Sequence, residues 1–245
     1  MEEKDKTMVE HYETVRNLGN DFRNFNLFHL ASSLVSGKTV VDIGCGSGHF
    51  ASILKAFNKD VIGIEPSAGM RALAARSNPG VVVMEGSAEE VDVLLKKTVD
   101  SIVMLDVLEH VKDDGNQVKK INECLKENGE FVFVVPAHPY LYGKRDMQMG
   151  HYRRYTKKAL CKILETNGFS LQYVRYWNAL GVLPYMVSEK ILRRPLRANL
   201  RKVGPNSGLH YVARKMLHWW FAVVEKNCNF GFGLSLVGVA KKTSV

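Results

Sequence analysis

The sequence predicts an α/β protein built on a doubly wound parallel sheet, with a helical insertion before the last strand. Three observations carry this. Short β-branched runs alternate with segments of helical period. The runs are apolar throughout rather than alternating, as strands covered on both faces must be. A glycine-rich turn, Gly44-Cys45-Gly46-Ser47-Gly48, joins the first run to the helix that follows it.

Residues Glu10 to Leu34 read as a helix, because Leu18, Phe22, Phe25, Phe28 and Leu30 recur at near-helical spacing. Thr39 to Ile43 is the first strand and Ser47 to Phe57 the next helix. Strands at Val61–Ile64, Val81–Met84, Val99–Leu105 and Glu130–Val135 follow, with helices at Ala68–Ala75 and Asn116–Leu125. Pro136 ends the fifth strand, since proline cannot donate to a ladder. A polar, aromatic stretch from Ala137 to Thr156 reads as a loop. A helix over Lys157–Asn167 stops at Gly168, Ser170–Trp177 reads as a sixth strand and Leu234–Ala240 as the last.

The chain has 245 residues, 46% hydrophobic and 24% charged, which suits a single globular domain with an insertion. It divides into an N-terminal helical lid (1–37), a cofactor-binding core (38–177), a helical, basic insertion (178–232) and a last strand with tail (233–245). The first residues lack a basic-then-apolar leader, and no apolar run reaches the roughly 18 residues of a membrane span. Cys45, Cys124, Cys161 and Cys228 are far apart. A reduced, cytoplasmic protein with no metal ligands is expected.

The turn at residues 44–48 precedes a helix, whose free N–H groups and positive dipole end face the crevice beyond the strands. His49 stands where a dinucleotide fingerprint has its third glycine, which speaks against a hydride-transferring dehydrogenase. Asp42 would repel a pyrophosphate but hold an ammonium. Glu65 ends the second strand, where a carboxylate can accept from both ribose hydroxyls. Gly86-Ser87-Ala88-Glu89 follows the third strand, and Leu105-Asp106-Val107-Leu108-Glu109-His110 spans the end of the fourth.

In this order and spacing, the four segments resemble the motifs of class I S-adenosylmethionine-dependent methyltransferases, firmly from Lys38 to Val135. The resemblance implies a seven-stranded, mostly parallel Rossmann-like sheet whose last strand is antiparallel, and S-adenosylmethionine as cofactor. It implies cofactor contacts at Asp42, Gly44, Cys45, Gly46, Gly48, Glu65, Pro66, Met70, Gly86, Ser87, Ala88, Asp106, Val107 and Leu108. Ser87 departs from the family, which often has Asp there to bond the adenine amino group.

Gly150-His151-Tyr152-Arg153-Arg154-Tyr155-Thr156 is similar to the Gly-Thr-His loop of ubiquinone-pathway O-methyltransferases and closer still to segments of uncharacterised bacterial relatives. That resemblance implies an acceptor-side role for His151, and an imidazole suits removal of a hydroxyl proton near neutral pH. His110 is the rival catalytic residue. Tyr12, His138, Tyr152, Arg153, Arg154 and Tyr155 are candidates for acceptor binding, the arginines through their forked donors. Equally, Arg153 and Arg154 suit structural salt bridges.

From Lys190 to Lys215 the chain carries eight basic and no acidic residues, nearly its whole net charge of +9. With the apolar, Trp-bearing stretch that follows, Lys190–Val224 suits peripheral contact with an anionic membrane, a cap over a bulky substrate, or a homodimer surface. The expected reaction is methyl transfer to a small or lipid-linked acceptor, with O-methylation preferred. N-methylation of an amino sugar or other amine, and a non-catalytic cofactor-binding module, are the alternatives. A nucleic-acid partner is disfavoured because the fourth motif lacks the Asn/Asp-Pro-Pro-aromatic pattern of base-amine methylases.

Overall fold

The computed structural model describes residue 9, residues 21–192 and residues 208–243, with backbone only for 208–210. Residues 10–20 of the predicted first helix, including His11, Tyr12 and Arg16, lie outside the described residues, as do the basic residues from Arg193 to Lys202.

Seven strands form one sheet: β1 (Thr39–Ile43), β2 (Asp60–Glu65), β3 (Val82–Glu85), β4 (Val99–Leu105), β5 (Leu125–Pro136), β6 (Phe169–Trp177) and β7 (Ser235–Lys242). Their order is β3-β2-β1-β4-β5-β7-β6. β7 runs antiparallel to both its neighbours, and the other pairs are parallel. The expected doubly wound, mostly parallel sheet with an antiparallel last strand is therefore present. Strand order reverses between β1 and β4, the switch point at which such sheets open a ligand crevice. Asp42 of β1 is in register with Gly63 on one side and Val103 on the other.

The helices are α1 (Phe22–Leu34), α2 (His49–Ala56), α3 (Ala68–Ser77), α4 (Val91–Leu94), α5 (Asp114–Cys124), α6 (Lys144–Met149), α7 (Lys157–Thr166), α8 (Val182–Met186) and α9 (Gly208–Trp219). α8 continues through a widened turn to Ile191, and α9 through another to Glu225.

The apolar strand runs are explained by burial on both faces. One face sets Val41, Ile43, Ile102, Met104, Phe131 and Phe133 against Val118 and Ile121 of α5 and Leu160 and Leu164 of α7. The other sets Val40, Val61, Val103 and Val132 against Ala31 of α1 and Phe50, Ala51 and Leu54 of α2. Adjacent residues of one strand thus serve opposite cores, as a period of two requires. α1 is capped by Asp21, whose carboxylate accepts from the Asn24 N–H at 3.2 Å.

Two sequence expectations change. The stretch Ala137–Thr156 holds a helix, α6, where a loop was expected. Six residues show no apolar period, and α6 is held by a buried carboxylate, Asp146, rather than by an apolar stripe. β5 begins at Leu125, not Glu130, because Leu125 pairs with Val99 before a register shift in the ladder. Within the insertion, residues 182–191 and 208–227 are helical. Phe221 packs between Phe22 and Trp177, with ring centroids 5.7 and 5.0 Å away. Glu225 accepts from the Ala179 N–H at 2.9 Å and from Trp220 Nε1 at 3.0 Å, which ties α9 to the end of β6.

Candidate active site

The glycine turn after β1 is shaped by conformations that a side chain would strain. Gly44 has φ of 70°, and a Cβ there would stand 2.5 Å from Val107 Cγ2. Gly46 has φ of 54° and donates its N–H to Glu65 Oε2 at 2.9 Å. The other oxygen of Glu65 accepts from the Ser67 N–H at 2.9 Å. One buried carboxylate therefore fastens the turn after β1 to the turn after β2. Met70, near the start of α3, closes on Gly46.

Asp42 lies beneath this turn, buried, with Oδ2 lacking a hydrogen-bond partner among the described residues. Burial, with the Glu65 charge second, pushes its carboxyl up to about 8. A buried acid that resists ionisation beside a second acid fits a ligand bringing an ammonium and ribose hydroxyls. It does not fit a pyrophosphate. Ligand binding near neutral pH is thus expected to ionise Asp42 and release a proton, and affinity should tighten by up to about tenfold per pH unit as pH rises toward 8. Calorimetry in buffers of different ionisation enthalpy reads that proton. Its absence would remove Asp42 as the ammonium's partner.

The other predicted cofactor residues lie around the same crevice in different ways. Leu108 and Ala88 turn their side chains into the core. Ser87 is occupied locally: its N–H and hydroxyl donate to Glu90 at 2.7 and 2.9 Å. Asp106, at the end of β4, has φ of 55°. Its carboxylate accepts from Arg23 of α1 at 3.2 Å, and the same guanidinium lies over the Trp177 ring at 5.6 Å.

Beyond Asp106 a cavity of about 350 Å³ opens at the carboxyl ends of β4, β5 and β6. Asp106, Glu109, Asp146, His151 and Arg154 form its polar end, and Phe22, Leu180, Pro184, Leu217 and Phe221 are among its apolar walls. Asp146 is the hub. It accepts from the Gly143 N–H at 3.0 Å, from Arg154 Nε at 2.9 Å and from the Tyr185 hydroxyl at 3.0 Å, and lies 3.0 Å from His151 Nδ1. Burial alone would raise its pKa, but the bonds from His151 and Arg154 prevail and hold the carboxyl well below the usual range.

With Nδ1 engaged by Asp146, His151 presents Nε2, which has no hydrogen-bond partner among the described residues. Nε2 stands 3.9 Å from Glu109 Oε1, and the ring meets His110 edge-on with centroids 4.6 Å apart. Glu109 is wholly buried with both oxygens unpartnered among the described residues. Burial, then the charge of Asp106, raises its pKa well above the usual carboxylate value. Glu109, His110 and His151 also bring ligand atoms within 4.8 Å of one another, a group that could hold a metal ion. The sequence suggested no metal ligands, because 41 residues separate His110 from His151.

The two rival catalytic candidates, His151 and His110, are thus brought together. Arg154 lines the cavity and donates to Asp146, the Ala137 carbonyl and Tyr185. Tyr152, Arg153, Tyr155 and His138 do not line it. Arg153 and Tyr155 both bond Asp114 at the start of α5, at 2.8 and 2.9 Å, and His138 stacks on Tyr176. Both arginines thus make the structural pairs that their residue type also suits. Tyr12 lies outside the described residues. Arg23, Glu109, Asp146 and Tyr185 were not singled out from the sequence. Glu109 adjoins His110 in a segment already flagged, whereas the other three carry no local signal.

A family model described as a methyltransferase domain matches residues 13–174. The chain belongs to the S-adenosylmethionine-dependent methyltransferases. S-adenosylmethionine is accordingly the cofactor of this domain. Similar curated proteins include an uncharacterised methyltransferase of Oceanobacillus iheyensis, 33% identical over 51% of this chain and 59% of that one. A ubiquinone biosynthesis O-methyltransferase of Azorhizobium caulinodans is 30% identical over 47% of this chain and 44% of its own length. The chain spans about half the length of the curated relatives it matches. Among solved structures, an S-adenosylmethionine-dependent methyltransferase of Thermotoga maritima, described as a possible histamine N-methyltransferase, aligns with a TM-score of 0.62 at 20% identity, covering 96% of each chain. At that identity the likeness speaks for the fold alone.

Proposed function

We propose that this methyltransferase methylates a hydroxyl group of an acceptor bound in the 350 Å³ cavity, with His151 as general base. The cofactor supplies a methyl group on a positively charged sulfur that leaves neutral. Asp42 and Glu65 would hold its ammonium and ribose, the latter through the oxygens that now fasten the turn. The acceptor oxygen forms the new bond to the methyl carbon as the carbon–sulfur bond breaks, and its proton passes to His151 Nε2. Asp146 keeps the Nδ1 proton in place and stabilises the imidazolium. The supporting observation is that His151 lines the cavity with Nδ1 fixed at 3.0 Å by Asp146, while its buried Nε2 has no hydrogen-bond partner among the described residues.

His151→Ala and His151→Gln should lower kcat by about 10²–10⁴-fold on a hydroxyl acceptor, with cofactor affinity unchanged. Activity should persist in a chelator. Retained turnover in both variants excludes the base. Loss of wild-type activity in chelator, with recovery on adding a divalent cation, would instead assign Glu109, His110 and His151 to a metal. An amine acceptor is a second reading, favoured by the carboxylates of Asp106 and Asp146 at the cavity's polar end. It predicts turnover that survives His151→Gln, because a neutral amine needs no early proton removal.

A further inference from the structure

The two helices of the insertion each have a face that the cavity does not use. On α9, Leu217 and Phe221 point into the cavity. Val212, Met216, Trp219 and Val223 recur at spacings of four, three and four residues, so they form one stripe along the opposite side of the helix. The stripe is open to solvent: Met216 is 65% exposed and Trp219 58%. α8 and its continuation also expose apolar side chains beside cavity-lining ones. Pro184 and Tyr185 line the cavity, while Leu183, Ile191 and Leu192 are exposed. Large apolar side chains left uncovered in such a group mark a contact surface.

The charge of this stretch of sequence says what covers the faces. Between Lys190 and Lys215 the sequence has eight basic residues and no acidic one. Lys215 flanks the stripe, with its ammonium 4.7 Å from the Tyr211 ring centroid. A second copy of the chain would bring an equally basic stretch of its own. A neutral apolar partner would offer this positive charge nothing. An anionic bilayer answers both features, taking Trp, Met and Val side chains at the headgroup boundary and basic side chains among lipid phosphates. No helix among the described residues is long and apolar enough to cross a membrane, so contact would be at the surface.

We propose that the exposed faces of α8 and α9 seat the protein on an anionic membrane. The same two helices supply apolar walls of the acceptor cavity. Docked this way, the cavity would receive an acceptor carried on a lipid, its apolar part along Leu180, Pro184, Leu217 and Phe221 and its polar group toward His151. This last step rests on the proposed methyl transfer, whereas the docking itself does not.

The test is co-sedimentation of the full chain with vesicles of phosphatidylcholine alone and of phosphatidylcholine and phosphatidylglycerol in equal parts. Binding should be at least about tenfold stronger to the mixed vesicles and should weaken as salt screens the basic segment. The double variant M216E/W219E, altered only at exposed positions, should lose about tenfold or more of that binding while keeping cofactor affinity. Equal binding to both vesicles, no binding, or unchanged binding by the variant overturns the proposal. So does a dimer in sedimentation equilibrium that the variant dissociates, since the face would then be a self-contact. Vesicle binding without turnover on any lipid-borne hydroxyl would leave the docking standing and remove the acceptor reading alone.

Discussion

Asp146→Ala is expected to lower the unfolding free energy by about 3–5 kcal/mol, because it leaves the buried Arg154 guanidinium without its counter-charge. For a chain of this size that corresponds to a fall in Tm of roughly 10 °C. Four groups lose their acceptor at once: the Gly143 N–H, Arg154 Nε, the Tyr185 hydroxyl and His151 Nδ1. Asp146→Asn separates stability from catalysis. The amide can still accept, but it carries no charge and no longer dictates which imidazole nitrogen bears the proton. It should retain more stability than the alanine variant yet lose about 10²–10⁴-fold in kcat, the scale of a misplaced imidazole proton. Denaturant unfolding and steady-state turnover on the same preparations check both. A well-folded Asp146→Asn with wild-type turnover would show that Asp146 braces the cavity without positioning the base.

The second large effect concerns the cofactor. Glu65→Ala should weaken S-adenosylmethionine binding by about 100-fold or more, since hydrogen bonds to a charged group contribute about 1.5–3 kcal/mol each. Two backbone N–H groups, Gly46 and Ser67, lose a shared anchor, and the ribose loses its carboxylate. The strand β2 itself ends there, so the sheet should survive. Circular dichroism should match the wild type while calorimetry shows the loss. Glu65→Gln keeps one acceptor oxygen and should fall between the two. An affinity for Glu65→Ala within roughly threefold of wild type would mean that the turn is held by its glycine geometry alone.

The parts of the site legible in the sequence are those made by neighbours in the chain. Glycines at 44, 46 and 48 state a backbone conformation directly, and the structure gives all three positive φ. Asp42 and Glu65 were flagged as carboxylates at strand ends, and parallel pairing of β1 with β2 puts them in one crevice. β-branched runs announced strands because each strand meets a core on both faces. α6 escaped notice because its six residues have no period to read.

The acceptor side was only partly legible. His151 and His110 stood out as residues of the right chemistry, but their meeting depends on the loop after β5 folding back over the end of β4. Arg153, Arg154 and Tyr155 looked like acceptor-binding groups from residue type. In the fold, Asp114 takes Arg153 and Tyr155, and Asp146 takes Arg154. A sequence displays donors and acceptors, whereas pairing is settled by which partners are buried together.

The sequence by itself determined the layered α/β sheet and the glycine-rich turn after its first strand, because periodicity and glycine turns act over a few residues and need no distant partner. The acceptor cavity was decided only by the tertiary structure. Its walls come from α1, the ends of β4 and β5, α6, both helices of the insertion and the start of β7, more than two hundred residues apart along the chain at the extremes, Phe22 and Ser235. Which of their polar atoms are spent on one another, and which are left for a ligand, follows from long-range packing.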